Sequence, residues 1–219
     1  MREKLEAIKT GYKEIDRYAK ILLKGGFTVV GGSGSVGKTE FMLHIIHNVL
    51  CESDGSIIMF SPKMSQEEIY ERMEKIDKKK NETYDHSRFL LKEWPNDPEK
   101  ELPDRVKQIS EKEKIEFVVV DGLQDIKINS LGTILKGLAS EMSVPIIALA
   151  RSSEAAAKRE DHHPLQRDLP KEVVEEADVL VLLYRESLWN SEGDNKYTLE
   201  VTVSKNLFGP IGALELESL

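Results

Sequence analysis

Eight residues, Gly32 to Thr39, carry the arrangement G-x-x-x-x-G-K-T. Glycines at such positions let the backbone turn until successive N–H groups point inward, a geometry that cradles phosphate oxygens. Lys38 adds an ammonium for the outer phosphates, and Thr39 adds a hydroxyl able to ligate Mg²⁺. The flanks sharpen the signal. Phe27-Thr-Val-Val precedes it as a buried strand would, and Phe41, Met42, Ile45, Ile46, Val49 and Leu50 follow at helical spacing. Strand, glycine-rich turn and helix set phosphates at a helix N-terminus, where the aligned peptide dipoles favour an anion. The sequence therefore predicts a nucleoside triphosphate held on Gly34, Ser35, Val36, Gly37, Lys38 and Thr39. A second pattern supports this. Phe117-Val-Val-Val ends at Asp121, and an acid just past a buried strand holds Mg²⁺ through its water shell. Thr39 and Asp121 are the expected metal pair; the plainer reading of Asp121 is a strand-terminating cap on Gly122.

The elements that must position these groups alternate along the chain. Strands are expected at 27–30, 56–61, 88–94, 115–120, 145–150 and 178–184. Helices are expected from the loop to about Cys51, from Ser65 to about Lys78, before Lys114, over 132–143 and over 171–177. Ser65 with Glu68 three residues on reads as a capping box. Pro95, Pro98 and Pro103 are expected to break regular structure, and 152–169 reads as polar and irregular. Residues 197–204 and 211–216 alternate around Gly209-Pro210 as an antiparallel hairpin. The fold class that follows is α/β, a mostly parallel central sheet flanked by helices with a C-terminal antiparallel hairpin, in a single domain over residues 1–219.

Composition narrows the class further. The chain has 219 residues, 40% of them apolar, and a formal net charge of −8. That charge disfavours a broad nonspecific nucleic-acid surface. With one cysteine, Cys51, the chain cannot close an internal disulfide, which fits a reducing cytosol. No apolar run is long enough to span a membrane, and the charged N-terminus lacks a signal-peptide core. The sequence predicts a soluble, cytoplasmic protein without membrane association.

The order of motifs resembles the hexameric replicative helicases of the DnaB type. The resemblance rests on Thr10-Gly-Tyr-Lys-Glu-Ile-Asp16, the loop at 32–39, Met59-Phe-Ser-Pro-Lys-Met64 and Val120-Asp-Gly-Leu-Gln124. Leu138 to Leu149, Ala177 to Arg185, and Lys205 followed by Gly209-Pro-Ile-Gly212 extend it to the C-terminus. It covers the C-terminal, RecA-like ATPase domain of that family and not the helical N-terminal collar. It implies a RecA-like P-loop fold, ATP with Mg²⁺, and a nucleotide set between adjacent subunits of a ring.

Four departures bear on activity. Where the family has a catalytic glutamate after its second strand, this chain has Lys63, an ammonium and a poor base near neutral pH. Lys63 is expected either to pair with the γ-phosphate or to be an exposed loop lysine. Where the family has a phosphate-sensing glutamine, this chain has Arg151, which can still contact phosphate. Where the family inserts Lys-x-Arg into the neighbouring subunit's site, this chain has Lys205-Asn206-Leu207. The lysine is kept, on an expected loop, and the arginine finger is lost. The loop expected to face single-stranded DNA is short, at 125–130, with Lys127 its only cation, so weak DNA contact is expected at most. If hydrolysis occurs, Glu40, Glu67 and Glu68 are the nearby carboxylates that could replace the base. The polar loop at 152–167 adds Lys158, Arg159 and Arg167 as candidate phosphate contacts, and His162 and His163 as polar loop residues. The sequence thus implies an ATP-binding DnaB-like domain with impaired or absent hydrolysis, or else a non-catalytic regulator or loader of a true helicase. It is expected to self-associate or to join a DnaB-type subunit.

Overall fold

The computed structural model describes residues 6–62, 64–123, 130–190 and 198–217. The chain enters through a short helix, α1 (Lys13–Tyr18), that the sequence reading did not anticipate. It then alternates: β1 (Phe27–Gly32), α2 (Lys38–Glu52), β2 (Ser56–Phe60), α3 (Gln66–Lys80), β3 (Phe89–Lys92), α4 (Pro98–Ser110), β4 (Ile115–Val120), α5 (Leu131–Met142) and β5 (Ile146–Arg151) follow in turn. Two short helices, α6 (Glu154–Ala157) and α7 (Lys171–Glu176), lead to β6 (Val179–Tyr184), then β7 (Thr198–Asn206) and β8 (Gly212–Glu217).

The eight strands form one sheet in the order β3-β2-β4-β5-β1-β6-β7-β8. The first six run parallel, while β7 pairs antiparallel with β6 and β8 with β7. This is the mostly parallel sheet with a C-terminal antiparallel hairpin that the sequence predicts, in the form a RecA-like P-loop fold takes. Parallel strands covered on both faces read as continuous apolar runs, and alternate residues divide between two cores. Val30, Met59, Val119, Leu149 and Val181 pack under α2 and α3. Val29, Phe60, Val118, Ala148 and Leu180 pack on the other side, against α4, α5 and α7.

Local signals explain most boundaries. Ser65 caps α3 through a complete capping box with Glu68, and Asn81, at φ 53°, ends the helix in the left-handed conformation. The prolines depart from expectation. Pro98 occupies the first turn of α4, where its missing N–H costs nothing, and Asp97 caps that turn. Pro103 lies inside the helix rather than ending it; burial of Leu102 and Val106 on the inner face holds the helix together. The segment at 152–169 is also more ordered than expected, with α6 and a 3₁₀ turn at Gln166–Asp168. No helix among the described residues is long and apolar enough to cross a membrane.

One buried carboxylate ties three elements at the base of the sheet. Asp178 is 3% exposed. Its Oδ2 accepts from the Phe27 N–H at 2.8 Å and pairs with Lys136 of α5, while its own N–H donates to the Phe27 carbonyl. Truncation would leave a buried N–H and an ammonium without their acceptor. Asp178→Ala is expected to lower unfolding stability by about 3 kcal/mol, read as a lower urea midpoint with unchanged slope. A change below about 0.5 kcal/mol would show that water replaces the carboxylate.

Candidate functional site

The C-terminal ends of β1, β4, β5 and β6 meet at one edge of the sheet, where the chain order reverses across β1. Ligands in open α/β sheets bind in the crevice at such a point. The loop after β1 is built for close approach. A Cβ at Gly32 would lie 2.8 Å from the Leu183 carbonyl oxygen and 2.9 Å from Val36, so the strand can leave the sheet there only as glycine. Gly37 sits at φ 99°, a left-handed conformation that starts α2 without a side-chain cap. The first-turn N–H groups of α2 thus face the loop. The Lys38 ammonium folds back over it and donates to the carbonyls of Gly32 at 3.0 Å and Ser33 at 2.8 Å.

Thr39 and Asp121 converge although 82 residues separate them: Thr39 Oγ1 donates to Asp121 Oδ2 at 3.0 Å. Strand β5 lies between β1 and β4, so the acid is not on the neighbouring strand. It reaches the hydroxyl from just past the end of β4, two strands away in the sheet. The bare strand-cap reading of Asp121 misses this contact. Two hard oxygen donors at one point, beside a loop of N–H groups, are the donor chemistry Mg²⁺ takes.

Two guanidinium groups flank the loop. Arg151 pairs in register with Gly32, and a Cβ built at Gly34 would lie 3.1 Å from its guanidinium. Arg185 lies on the other side, 3.6 Å from a Cβ built at Gly37. Sequence reasoning missed Arg185. Its position follows from β6 pairing beside β1, with Gly32 opposite Leu183 two residues earlier; only the strand order reveals that neighbourhood.

The expected base and its substitutes are distributed differently. Lys63 lies outside the described residues, as do 124–129 with Lys127. Glu40, next to Thr39 in the first turn of α2, is engaged with other partners, 3.6 Å from His44 and 3.6 Å from Arg72 of α3. Glu68 accepts from the Ser65 N–H as part of its cap, and Glu67 is exposed on the same turn. Neither is at the loop by any contact.

Lys205 stands on β7, not on the loop between the hairpin strands as the sequence suggested. Its ammonium donates to the carbonyls of Val174 and Glu175 at the end of α7, both at 3.0 Å. It pairs with Leu180, which pairs with Val29, three residues and about 10 Å down the sheet from Gly32. Because β7 runs backward, its end lies at the sheet edge opposite the phosphate loop. The turn beyond it is apolar and open: Leu207 is 63% exposed, Phe208 36% and Ile211 67%. Neither Leu207 nor Phe208 folds back onto the core.

The loop after β5 is organised from within. The Arg159 guanidinium forks onto Asp168, at 3.0 Å for one contact, and Asp168 also accepts from the Leu165 N–H at 2.7 Å. Arg159 is therefore committed to its own loop and holds the Asp168 carboxyl below its usual range. The two histidines stack on aromatic rings, His162 on Trp189 and His163 on Tyr184.

Comparison with known proteins accords with this geometry. The family model described as DnaB-like helicase C terminal domain matches residues 7–83 and 72–218. The replicative DNA helicase DnaB of Geobacillus stearothermophilus is 24% identical, over 97% of this chain and 54% of the relative. Replicative DNA helicase DnaC of Bacillus subtilis is 25% identical over the same shares. The chain spans about half the length of these curated relatives. Among solved structures, one described as an ATPase domain superposes with a TM-score of 0.83 at 21% identity, covering 97% of this chain and 88% of that one. A DnaB-like replicative helicase, described with its interactions with primase, gives 0.84 at 20% identity, covering 100% and 63%. At such identity the structural likeness shows the fold.

Glu40 next to Thr39 makes the site edge sensitive to acid. His44 foremost, with Arg72 and Lys79, holds its carboxyl below the ordinary value of 4.5, against burial, which pushes the other way. A carboxyl depressed in the folded state contributes stability above its unfolded pKa and loses it as pH falls through the lower folded value. Glu40→Gln should therefore be less stable than the parent near neutral pH, and the gap should narrow as the pH drops below about 4.5. Denaturant titrations across that range check this; a constant gap would show that Glu40 carries no linked proton.

Proposed function

This chain belongs to the family of the DnaB-like helicase C-terminal domain, and from that premise we propose that it binds ATP with Mg²⁺ and hydrolyses it slowly or not at all. The observation that carries the reading is the hydrogen bond from Thr39 to Asp121, 3.0 Å long, at the foot of a loop that Lys38 spans. Residues Gly34 to Thr39 would receive the phosphates on backbone N–H groups at the start of α2. Lys38 would exchange its two carbonyl contacts for phosphate oxygens, which carry more charge and make the stronger bonds. Thr39 and Asp121 would hold the Mg²⁺, whose charge offsets that of the phosphates. Arg151, against Gly34, stands where a guanidinium can meet the outer phosphate, and Lys63 is assigned to the same end of the nucleotide.

Slow hydrolysis follows from residue chemistry. A water nucleophile needs a base, and the family's glutamate position is Lys63. The transition state needs an added cation, and the family's finger position is Leu207. Each such loss removes orders of magnitude in rate. The whole chain is read as one nucleotide-binding domain that associates with itself, or with a DnaB-type subunit, through the β7–β8 turn. Lys205 lies too far from its own loop to act there, so any phosphate it meets belongs to a neighbour. Single-stranded DNA is assigned at most a weak role. The exposed Leu207 and Phe208 favour a second reading beside this one, a regulator or loader that docks on a true helicase without turning over ATP.

Millimolar Mg-ATP is expected to raise the melting temperature of the parent protein, and Lys38→Ala should remove that shift. Turnover should fall far below the roughly 10 s⁻¹ of a median enzyme, without stimulation by single-stranded DNA. Absence of any ATP-dependent shift in the parent would refute nucleotide binding, and a robust DNA-stimulated rate would refute the impaired-catalysis reading.

Phe208→Asp is expected to weaken ATP-dependent association, measured as native mass or sedimentation, while leaving the melting temperature within a degree or two of the parent. A strictly monomeric parent at high concentration with bound ATP, and no complex with a replicative helicase, would overturn the assembly reading.

A further inference from the structure

Helix α2 carries a second set of donor atoms at the end away from the phosphate loop. His47 and Cys51 stand four residues apart and share one helix face. Cys51 Sγ lies 3.9 Å from both ring nitrogens of His47. The left-handed Asn81 at the end of α3 turns the chain back, so that the Glu82 N–H meets the Asp77 carbonyl at 3.3 Å. That turn brings a Glu82 carboxylate oxygen, the Cys51 sulfur and a His47 nitrogen within 4.8 Å of one another. Behind them, Asp77 Oδ1 lies 3.0 Å from His47 Nε2. His47 is fully buried, whereas Cys51 and Glu82 are open to water. Cys51 and Glu82 border a groove of about 660 Å³, through which an ion can reach them.

We propose that His47, Cys51 and Glu82 form a binding site for a divalent transition metal of the zinc class, with Asp77 positioning the imidazole and water completing the coordination. Sulfur, imidazole nitrogen and carboxylate oxygen are the donors zinc takes. With metal–sulfur and metal–nitrogen distances of about 2.3 and 2.0 Å, a tetrahedral centre sets sulfur and nitrogen about 3.5 Å apart. The separation here is within a few tenths of an ångström of that. A carboxylate on the far nitrogen of a metal-bound histidine is the usual outer partner, which fixes the ring and makes it a better ligand. The Glu82 backbone also hydrogen-bonds the ring, so the turn that carries Glu82 is already fixed against the imidazole. Asp77 Oδ1, despite its 3.0 Å approach to Nε2, and the Tyr84 hydroxyl, whose ring meets His47 edge-on, are buried without a well-directed hydrogen bond. They mark the neighbourhood as polar and incompletely satisfied.

The same residues suggest a Cys–His–Asp nucleophile, and the electrostatics oppose that reading. A reactive cysteine needs a depressed pKa. Here burial foremost, then Glu82 and Asp77, raise the thiol's pKa, against Lys80 and Arg88. A metal takes the place of the proton, so a carboxylate-rich setting that disfavours a bare thiolate favours a cation. Lys80 is the opposing charge at the groove. Its ammonium is held by the Asn48 side chain, and burial lowers its pKa. Arg88 is bound to the carbonyls of Leu50, Ser53 and Gly55 at the end of α2. An ion here would clasp the end of α2 to the end of α3.

Cobalt(II), followed by zinc competition, tests the site on reduced, chelator-washed protein. Cys51 is the chain's one cysteine, so a thiolate-to-cobalt charge-transfer band in the near ultraviolet reports it alone. Thr39 and Asp121 offer only oxygens and give no such band. The expected result is one cobalt per chain with that band, abolished by Cys51→Ser and displaced by zinc. Asp77→Asn should weaken cobalt binding about ten- to hundredfold while keeping the band at saturation. Cys51 is open to water, so its serine variant should melt with the parent. No thiolate band at millimolar cobalt, or half an ion per chain from a thiolate pair bridging two copies, would overturn the proposal. A band that survives Glu82→Gln with unchanged affinity would remove Glu82 from the ligand set and overturn it as stated.

Discussion

The candidate site hangs from β1, a strand enclosed on every side. Strands β5 and β6 flank it in the sheet, and apolar layers cover both faces. A strand so confined cannot shift along its axis without breaking two hydrogen-bond ladders and turning its side chains into the wrong layer. Its last residue, Gly32, therefore delivers the phosphate loop to a fixed place. The neighbouring strands are set by the same ladders, so the residues at and just past their ends, Arg151, Arg185 and Asp121, arrive around that loop. Asp178 locks the other end of β1 through the Phe27 N–H. The position of the loop is thus settled by the sheet, and the loop sequence needs only to turn.

Strand reversal decides what the C-terminal hairpin can do. A parallel strand ends at the loop edge; β7, running the other way, ends at the opposite edge. Lys205 is thereby removed from its own loop and put against the carbonyl end of α7, where an ammonium is favoured by the helix dipole. The turn beyond it projects Leu207, Phe208 and Ile211 into water. This exposed apolar cluster at the hairpin tip, beside a cation held away from its own loop, is what the proposed association rests on.

Helix α2 joins two chemically different ends. Its first turn carries Lys38 and Thr39 with oxygen and amide donors suited to phosphate and a hard cation. Its last turns carry His47 and Cys51, beside Asp77 and Glu82, with softer donors. Glu40 and Arg72 link α2 to α3 near the first end, and the turn after Asn81 links them at the second. A change in how α2 and α3 pack would be felt at both ends, because both pairs of contacts bridge the same two helices.

What the sequence determined by itself was local or periodic. The loop at 32–39 was legible because glycines and Lys38 stand between a strand pattern and a helix pattern, and the capping box at Ser65 because both partners lie within one turn. The parallel sheet was legible because doubly buried strands leave continuous apolar runs, as at residues 117–120. Other features required the tertiary structure. Pro103 looked like a breaker because the burial of Leu102 and Val106 that sustains α4 depends on the opposite wall. Arg185 was invisible because its place beside Gly37 follows from β6 lying next to β1, a pairing across roughly 150 residues of chain that no local pattern encodes. Lys205 was assigned to a loop because alternation marks a hairpin without fixing where each strand stops. The meeting of His47, Cys51, Asp77 and Glu82 depends on two helices packing side by side and on one left-handed residue, Asn81. A sequence dictates which groups the chain carries and which segments repeat; long-range strand order and helix packing decide which of those groups meet, because contact energies between distant residues exist only once the chain has closed on itself.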